Sequence, residues 1–307
     1  MAEIDWSRNV YDKRTELVVI RHAESNNNVL YDIIRSELGS DTPGSVIEAE
    51  EAKRRDADCT LSNKGFTQAK HLGDYFKDGD GYAVATDSNI DDWIIISSPM
   101  KRCCLTAQEV SKSLGNKKVI VIPNLYEYGG CYDHIYENGV YQHKTKGKIG
   151  RTVEEIEAEH ENFVCYNFDK DNKGWYHGNE SETIDDFRER CKKVVDWIWS
   201  LHDQEYSSRR IGKETPLGFK HIILIGHGLL NSNIIAHLMG CEDDDKYLVI
   251  HNNTGVSKLQ LLNVKEKGNK RIAAVKGVNM LNHIGNKTEL LTGDHPIQDH
   301  WAQEILH

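Results

Sequence analysis

The chain has 307 residues, of which 38% are hydrophobic and 28% charged, a composition typical of a soluble protein with one large domain or two ordinary ones. Its formal net charge of −10 argues against long-range attraction to nucleic acid or to an anionic membrane. Its apolar runs are far shorter than the roughly 20 residues that cross a bilayer, which excludes a membrane-spanning role.

The first residues carry acids and no apolar segment of the kind found in secretory signals, so we expect a cytoplasmic protein. The seven cysteines are an odd number, and only Cys103 and Cys104 are adjacent. No Cys or His spacing is that of zinc ligands. We therefore expect reduced thiols, with neither a disulfide framework nor a metal site.

Short apolar runs alternate with helical patterns along the chain. The predicted elements, in chain order, are strand 17–20, helix 65–76, strands 93–97 and 119–122, helix 183–200, strand 222–225, helix 229–239 and strand 256–262. The first helix is expected to bury one face made of Phe66, Ala69, Leu72, Tyr75 and Phe76. Repeated strand-then-helix units predict an α/β fold, with a mostly parallel sheet sandwiched by helices on both faces.

Residues 29–60 and 128–182 lack this regular pattern. The first segment is rich in Glu, Arg and Asp, and the second in Gly, Tyr, His, Lys and Asn. We expect both to be insertions over a sheet edge or a ligand site, within a single domain that spans residues 1–307. The stretch 207–218 is predicted to be a disordered loop.

Three predicted strands end on residues that can bind an anion. The first strand leads directly into Arg21 and His22, the second into a helix whose first turn carries Arg102, and the fourth into His227 between two glycines. Ligands bind at the carboxyl ends of parallel strands, and arginines and helix N-termini bind phosphate. Each strand end also has a simpler interpretation. The segment with Arg21 and His22 would be a surface loop, Arg102 a solvated arginine and His227 a packed core histidine.

Further short segments complete a recognisable set. They are Arg21-His22-Ala23-Glu24 with Asn28; Asp58 with Leu61-Ser62, Gly65, Gln68 and Ala69; Ser98 with Arg102, Thr106 and Ala107; Leu125-Tyr126-Glu127; Glu182-Thr183 with Asp186 and Arg190; His227-Gly228; Asn253-Thr254-Gly255-Val256; and Asn279 with His283-Ile284. In order, from about residue 15 to 285, they resemble the motifs of the histidine phosphatase (phosphoglycerate mutase-like) superfamily. Ala23 stands where that family usually has glycine, and its methyl group would crowd a phosphate unless it points away.

The resemblance implies roles for seven of the matching residues. His22 would be the nucleophile that forms a phosphohistidine, and Glu127 the general acid. The phosphate would be bound by Arg21, Asn28, Arg102, His227 and Gly228. No metal or other cofactor would be needed. Charge repulsion from the two arginines would disfavour the imidazolium form of His22, which keeps it nucleophilic.

We therefore expect a metal-independent, histidine acid phosphatase-type phosphomonoesterase that acts on a small phosphorylated substrate, with no nucleic-acid or membrane partner. Glu127 is followed by Tyr128-Gly129-Gly130-Cys131, where true mutases of the superfamily carry a basic stretch. This favours a phosphatase over a phosphoglycerate mutase-type phosphotransferase. A catalytically silent binding protein on the same fold is the third hypothesis. The substrate and the oligomeric state are left open.

The run 142–151 is the one strongly basic segment of this acidic chain. Its charges are Lys144, Lys146, Lys148 and Arg151. One interpretation is a solvated loop, because charge runs usually face solvent. The other is a lid that binds a second anionic group of the substrate.

Overall fold

The computed structural model describes residues 11–78, 92–138, 140–169, 171, 173–204, 220–241, 248–264 and 270–293. Its elements are β1 Tyr11–Arg21, α1 Leu30–Leu38, α2 Gly44–Arg54, α3 Asn63–Asp78, β2 Trp93–Ser97, α4 Lys101–Ser113, β3 Val119–Val121, β4 Tyr132–Glu137, β5 Val140–Gly147, α5 Val153–Glu159, β6 Phe163–Cys165, α6 Ile184–Asp203, β7 His221–Gly226, α7 Gly228–Leu238, β8 Val256–Val264 and β9 Lys270–Met280. Short 3-10 helices cover Pro123–Leu125 and Thr288–Leu290. The predicted loop at 207–218 lies outside the described residues.

Within the described residues, seven strands form one sheet in the order β6-β3-β2-β7-β1-β8-β9. The strands from β6 to β1 are parallel, whereas β8 and β9 run antiparallel at one edge. In the register of the two central strands, Leu17 pairs with Ile222 and Arg21 with Gly226. The residues that follow β1 and β7 therefore meet at the same edge of the sheet.

Alternate residues of β1 point to opposite faces of the sheet, and both faces are covered. Leu17 and Val19 pack in the apolar cluster formed with α6 and α7, whereas Val18 and Ile20 pack in the cluster formed with α3 and α4. All four side chains have no exposed surface. Complete burial of such a side chain stabilises the fold by about 1.5–3 kcal/mol. The predicted α/β sandwich is confirmed.

The buried face of α3 differs from the predicted one. Phe66 is 44% exposed, whereas Ala69, Leu72 and Phe76 are buried as expected. The helix instead presents Gly65 to the chain that follows β1, because a β-carbon at this position would lie only 1.9 Å from the carbonyl oxygen of Glu24. This close approach turns Phe66 toward solvent.

The two irregular segments contain regular structure. Residues 29–60 form α1 and α2, and residues 128–182 form the β4–β5 hairpin, α5 and β6. The interpretation of 128–182 as an insertion is therefore wrong for β6, which pairs with β3 in the main sheet. With three residues, β6 is too short to show a period in sequence. The basic run is largely strand β5, so it is not a loop.

Strand β9 was not predicted at all. It covers one edge of the sheet and leaves Ile272, Val275 and Val278 more than one third exposed, so its sequence shows no clean apolar alternation. Among the described helices, none combines the length and the apolar character that a membrane crossing requires.

Candidate active site

The ends of β1 and β7 and the start of α4 bring four of the predicted residues together. Arg21 is the last residue of β1, His22 follows it, His227 follows β7, and Arg102 lies in the first turn of α4. The backbone N–H of His22 donates to the carbonyl of Gly226, at 2.9 Å. The rings of His22 and His227 are 5.2 Å apart, centroid to centroid.

The hydrogen bonds of His22 define its tautomer. Nδ1 lies 2.7 Å from the backbone carbonyl oxygen of Ala23, which only accepts, so Nδ1 carries the hydrogen. Nε2 lies 3.1 Å from Nε of Arg102, which only donates, so Nε2 carries a lone pair. His22 is 4% exposed. Burial and the neighbouring charges of Arg102 and Arg21 hold its pKa well below the ordinary histidine value.

His227 is held through both ring nitrogens. Nδ1 is 3.2 Å from Nη2 of Arg102 and must accept, so Nε2 carries the hydrogen and donates to the hydroxyl of Ser98 at 2.8 Å. Burial, followed by the charge of Arg102, lowers the pKa of His227 well below its usual range. In this arrangement His227 orients Arg102, and a direct bond to phosphate requires Nε2 to exchange Ser98 for a phosphate oxygen.

Arg21 is anchored at one end of its guanidinium. Nη1 donates to the carbonyl oxygens of His251 at 2.6 Å and Gly293 at 3.0 Å. Its Nε is buried and has no hydrogen-bond partner among the described residues. Burial lowers the pKa of Arg21 to about 10, which leaves it cationic at neutral pH. An unpartnered cationic donor at the edge of the sheet is suited to bind an anion.

Glu127 lies against the first turn of α7. Its Oε1 accepts from the backbone N–H groups of Tyr128 at 2.9 Å and Leu230 at 3.1 Å, and its Oε2 from that of Leu229 at 3.2 Å. A β-carbon at Gly228 would lie 3.7 Å from Arg21 Nε and 3.9 Å from Glu127 Oε2. Gly228 therefore lies between the carboxylate and the unpartnered arginine donor, so that an anion bound by Arg21 would have Glu127 close by.

The side-chain oxygen of Asn28 is engaged by hydrogen bonds from protein groups, so it does not face a ligand. Its Oδ1 accepts from the N–H of Ser25 at 3.0 Å, the hydroxyl of Ser25 at 2.9 Å and Nδ2 of Asn253 at 3.3 Å. Only its amide NH₂ can therefore donate to a phosphate. Asn253 also donates to the carbonyl of His22 at 3.1 Å. The motif containing Asn253 was noted in the sequence, but its role in holding this turn was not.

Ala23, which departs from the family pattern, and Cys103, which follows Arg102 in the chain, are both accommodated by the packing around the site. The side chain of Ala23 packs with Leu61, Ala69 and Leu105 in a small apolar cluster, so the methyl group is accommodated by core packing. The Cys103 sulfur lies 3.4 Å from His227 Nε2. Burial raises the pKa of this thiol well above its ordinary value, so Cys103 stays protonated and fills space.

A buried ion pair supports the loop that carries Glu127. Arg190 binds both carboxylate oxygens of Glu182, at 2.8 and 2.6 Å, and donates to the carbonyl oxygens of Asn124 and Tyr126, both at 2.9 Å. The sequence placed Glu182 and Arg190 at a helix start and assigned them no role. Asn124 and Tyr126 lie 66 and 64 positions from Arg190, so the sequence carries no local signal of these contacts.

Arg151 does not belong with the exposed charges of the basic run. Its Nε lies 3.3 Å from Asp58, its Nη1 2.6 Å from Glu159, and its Nη2 donates to the carbonyl of Pro99 at 2.8 Å. Asp58 in turn accepts from the backbone N–H of Lys101 at 2.7 Å, at the start of α4. The lid interpretation is therefore wrong for Arg151, which braces the helix start that carries Arg102.

The assembled groups can bind a tetrahedral anion between two arginines, with an unprotonated imidazole nitrogen on one side and a carboxylate nearby. Among the residues that the structure describes, no group of three or more His, Cys, Asp and Glu side chains is arranged to hold a metal ion.

Residues 17–270 match the family model described as the histidine phosphatase superfamily, branch 1. The chain matches no curated protein at a significant level. Among solved structures, it is similar to the alpha-ribazole phosphatase of Shigella flexneri, with 15% identity, coverage of 87% of this chain and 96% of that one, and a TM-score of 0.46. It is also similar to a mycobacterial glucosyl-3-phosphoglycerate phosphatase, with 15% identity, coverage of 88% of this chain and 100% of that one, and a TM-score of 0.45. A phosphoserine phosphatase variant from Entamoeba histolytica, in complex with phosphoserine, has 18% identity, with coverage of 88% of this chain and 99% of that one and a TM-score of 0.44.

Proposed function

The chain belongs to branch 1 of the histidine phosphatase superfamily, and from this premise we propose that it hydrolyses phosphate monoesters through a phosphohistidine on His22, without a metal ion. The hydrogen bonding of His22 is the observation that carries the proposal. With Nδ1–H donated to Ala23, the lone pair of Nε2 faces the guanidinium of Arg102, where a phosphoryl group would also bind. A neutral, oriented imidazole of this kind is an activated nucleophile.

In the first step, Nε2 of His22 attacks phosphorus as the bond from phosphorus to the ester oxygen breaks. The electron pair of that bond goes to the leaving oxygen, which takes a proton from the carboxyl group of Glu127. In the second step, water attacks the phosphohistidine and gives its proton to the Glu127 carboxylate. The N–P bond breaks, its electron pair returns to Nε2, and inorganic phosphate is released.

Charge on the phosphoryl oxygens would be stabilised by Arg21 and Arg102. The buried Nε of Arg21 has no hydrogen-bond partner within the described residues and supplies one donor without displacing a protein contact. Arg102 would exchange its hydrogen bond to His22 for a phosphoryl oxygen, which frees the Nε2 lone pair at the moment of attack. Donors fixed in place before the reaction stabilise the transition state more than mobile ones do.

The test is rapid-quench labelling with a phosphate ester that carries radioactive phosphorus. The wild type should give an acid-labile, alkali-stable adduct, and His22→Ala should give none. His177→Ala, which changes an exposed histidine, is the matched control and should label normally. A chelator should leave the rate unchanged.

An adduct that survives in His22→Ala, or turnover that the chelator abolishes, would contradict the proposal. Tight phosphate binding without hydrolysis of any ester would instead favour the silent binding protein.

A further inference from the structure

A cleft of about 850 Å³ lies between α2 and the β4–β5 hairpin. Its lining includes Asn27, Tyr128 and Gly129. These residues are the chain neighbours of Asn28 and Glu127, so the cleft opens beside the acid of the candidate site. Its volume is in the range of pockets that enclose a whole small molecule rather than a phosphate alone.

The position of the acid decides which part of the substrate the cleft would receive. A general acid must lie within hydrogen-bond reach of the leaving oxygen. The alcohol attached to that oxygen then extends beyond Glu127, past the residues that follow it in the chain. Tyr128 and Gly129 line the cleft there. The cleft is therefore the space available to the leaving group.

One wall of the cleft is a set of aromatic rings on the hairpin. Ring centroids are 5.4 Å apart for Tyr132 and His134, 5.2 Å for His134 and Tyr141, and 4.4 Å for Tyr141 and His143. The Tyr141 hydroxyl also lies 3.1 Å from Nδ1 of His134. Because the rings hold one another, they form a prearranged surface on which a planar group can stack.

The charges around the cleft are mainly negative. Glu48, Glu51 and Glu180 line it, against the cations Arg55 and Lys144. Arg55 donates to the carbonyl of Tyr132 at 2.9 Å and its guanidinium lies 4.1 Å from the centroid of that ring, contacts that hold it in place but leave its charge. Glu48 lies 3.8 Å from Nδ1 of the exposed His143. The carboxylate of a further lining residue, Glu182, is paired with Arg190.

The other charges of the basic run do not reverse this balance. Of the four cationic side chains of that run, Lys144 alone lines the cleft, whereas Lys148 pairs with Asp133 at 3.2 Å and Arg151 is held by Asp58 and Glu159. A second phosphate or a carboxylate on the substrate would therefore meet more negative than positive charge. This is the opposite of what a cationic lid requires.

We propose that the cleft selects monoesters of a bulky aromatic alcohol that is neutral or cationic and has no second anionic group. This inference rests on the proposed phosphatase function. Stacking on the hairpin rings favours the aromatic part, and the carboxylates of the α2 wall and of Glu180 select its charge.

The test uses four esters, each with a single phosphate group: phenyl phosphate, 1-naphthyl phosphate, 4-(aminomethyl)phenyl phosphate and 4-(carboxymethyl)phenyl phosphate. The methylene groups separate the two charged substituents from the ring, so the two phenols are similar leaving groups. We expect kcat/KM for the naphthyl ester to exceed that for the phenyl ester by about tenfold. The aminomethyl ester should exceed the carboxymethyl ester by about three- to tenfold at low salt.

Variants then assign the effects to the cleft. Tyr141→Ala should reduce the naphthyl to phenyl ratio to near one, whereas Tyr141→Phe keeps the ring and should keep the ratio. Glu180→Lys should narrow or invert the charge preference. Glu161→Lys makes the same substitution at an exposed carboxylate that does not line the cleft, and should leave the preference unchanged.

Equilibrium binding of the same esters to His22→Ala separates this inference from the proposed function. If no ester is hydrolysed but naphthyl and aminomethyl esters still bind more tightly, the cleft inference holds and the phosphatase proposal fails. If all four esters are hydrolysed with equal kcat/KM, or the carboxymethyl ester is preferred, the cleft inference is overturned and the phosphatase proposal remains. An unchanged naphthyl to phenyl ratio in Tyr141→Ala also overturns it.

Discussion

Nε of Arg102 lies 3.1 Å from Nε2 of His22, so a permanent cationic donor points at the atom that would attack phosphorus. The contact works in two ways. It requires an unprotonated nitrogen in the resting site, and its positive charge, together with burial, lowers the pKa of His22. Both effects favour the neutral imidazole, which is the form that the proposed nucleophile requires.

The first prediction concerns the acid limb of activity. Because the pKa of His22 is well below 6.5, kcat/KM should not show the loss that protonation of an ordinary histidine causes as pH falls through 6.5. Arg102→Gln removes the nearest charge and should move the acid limb upward. The measurement is kcat/KM for p-nitrophenyl phosphate from pH 8 to 5. The ester titrates identically in both proteins, so a limb that does not move would contradict this account of His22.

The second prediction concerns stability in acid. Burial lowers the pKa of His202, His251 and His283 to about 4, from an ordinary 6.5. Between these values the unfolded chain binds more protons than the folded one, so the free energy of unfolding falls as pH falls below 6.5 and is unaffected by these groups above it. Each group contributes about 1.4 kcal/mol per pH unit in that window.

Urea unfolding measured from pH 7 to 4.5 checks the slope. His202→Gln should reduce the slope of the unfolding free energy against pH by the contribution of one histidine. His202 bonds Thr15 at 2.8 Å and is distant in sequence from the site residues. The exposed His177→Gln is the control. An equal slope in all three proteins would rule out His202 as a contributor to it.

The third prediction concerns the ion pair beneath the acid loop. Arg190 and Glu182 have side chains 8% and 6% exposed, so Arg190→Met leaves a buried carboxylate without its partner. We expect a loss of about 3–5 kcal/mol in the free energy of unfolding. The double variant with Glu182→Gln should recover part of it. As a contrast, breaking the exposed pair of Lys193 and Glu189 should cost at most about 1 kcal/mol.

The fourth prediction concerns Glu127. A lost general acid typically slows esters of poor leaving groups by about 10²–10⁴, and slows p-nitrophenyl phosphate much less because its phenolate leaves without a proton. Glu127→Gln should therefore separate the two ester types in single-turnover kinetics. If both types slow equally, or neither does, Glu127 is not the proton donor.

The fifth prediction concerns Gly65. A methyl group there would lie 1.9 Å from the Glu24 carbonyl oxygen, so Gly65→Ala must displace either α3 or the chain that follows His22. We expect a loss of about 1–3 kcal/mol in stability together with reduced activity. Gly44→Ala, at a helical position with nothing within 4 Å of the new methyl, should be neutral or slightly stabilising. Similar melting temperatures for both variants would contradict the close packing at Gly65.

The sequence by itself determined the α/β class and which residues meet at the carboxyl ends of the strands. Strand ends and helix starts are local features of composition and period. The residues that lie at or beside them are Arg21, His22, Arg102 and His227. The parallel arrangement then requires these ends to meet, whatever the exact register. The short β6 and the exposed edge strand β9 escaped prediction because neither carries a clear period.

Only the tertiary structure decided how these residues act on one another. The tautomer of His22 depends on a guanidinium 80 positions away, and Arg21 is anchored by a carbonyl 272 positions away. The basic run shows the same limit, because Arg151 turned inward to Asp58 while Lys144 reached the cleft. The partner of a charged side chain depends on which segments pack together in the folded chain. Those segments share no local sequence pattern, so the sequence alone does not identify the partner.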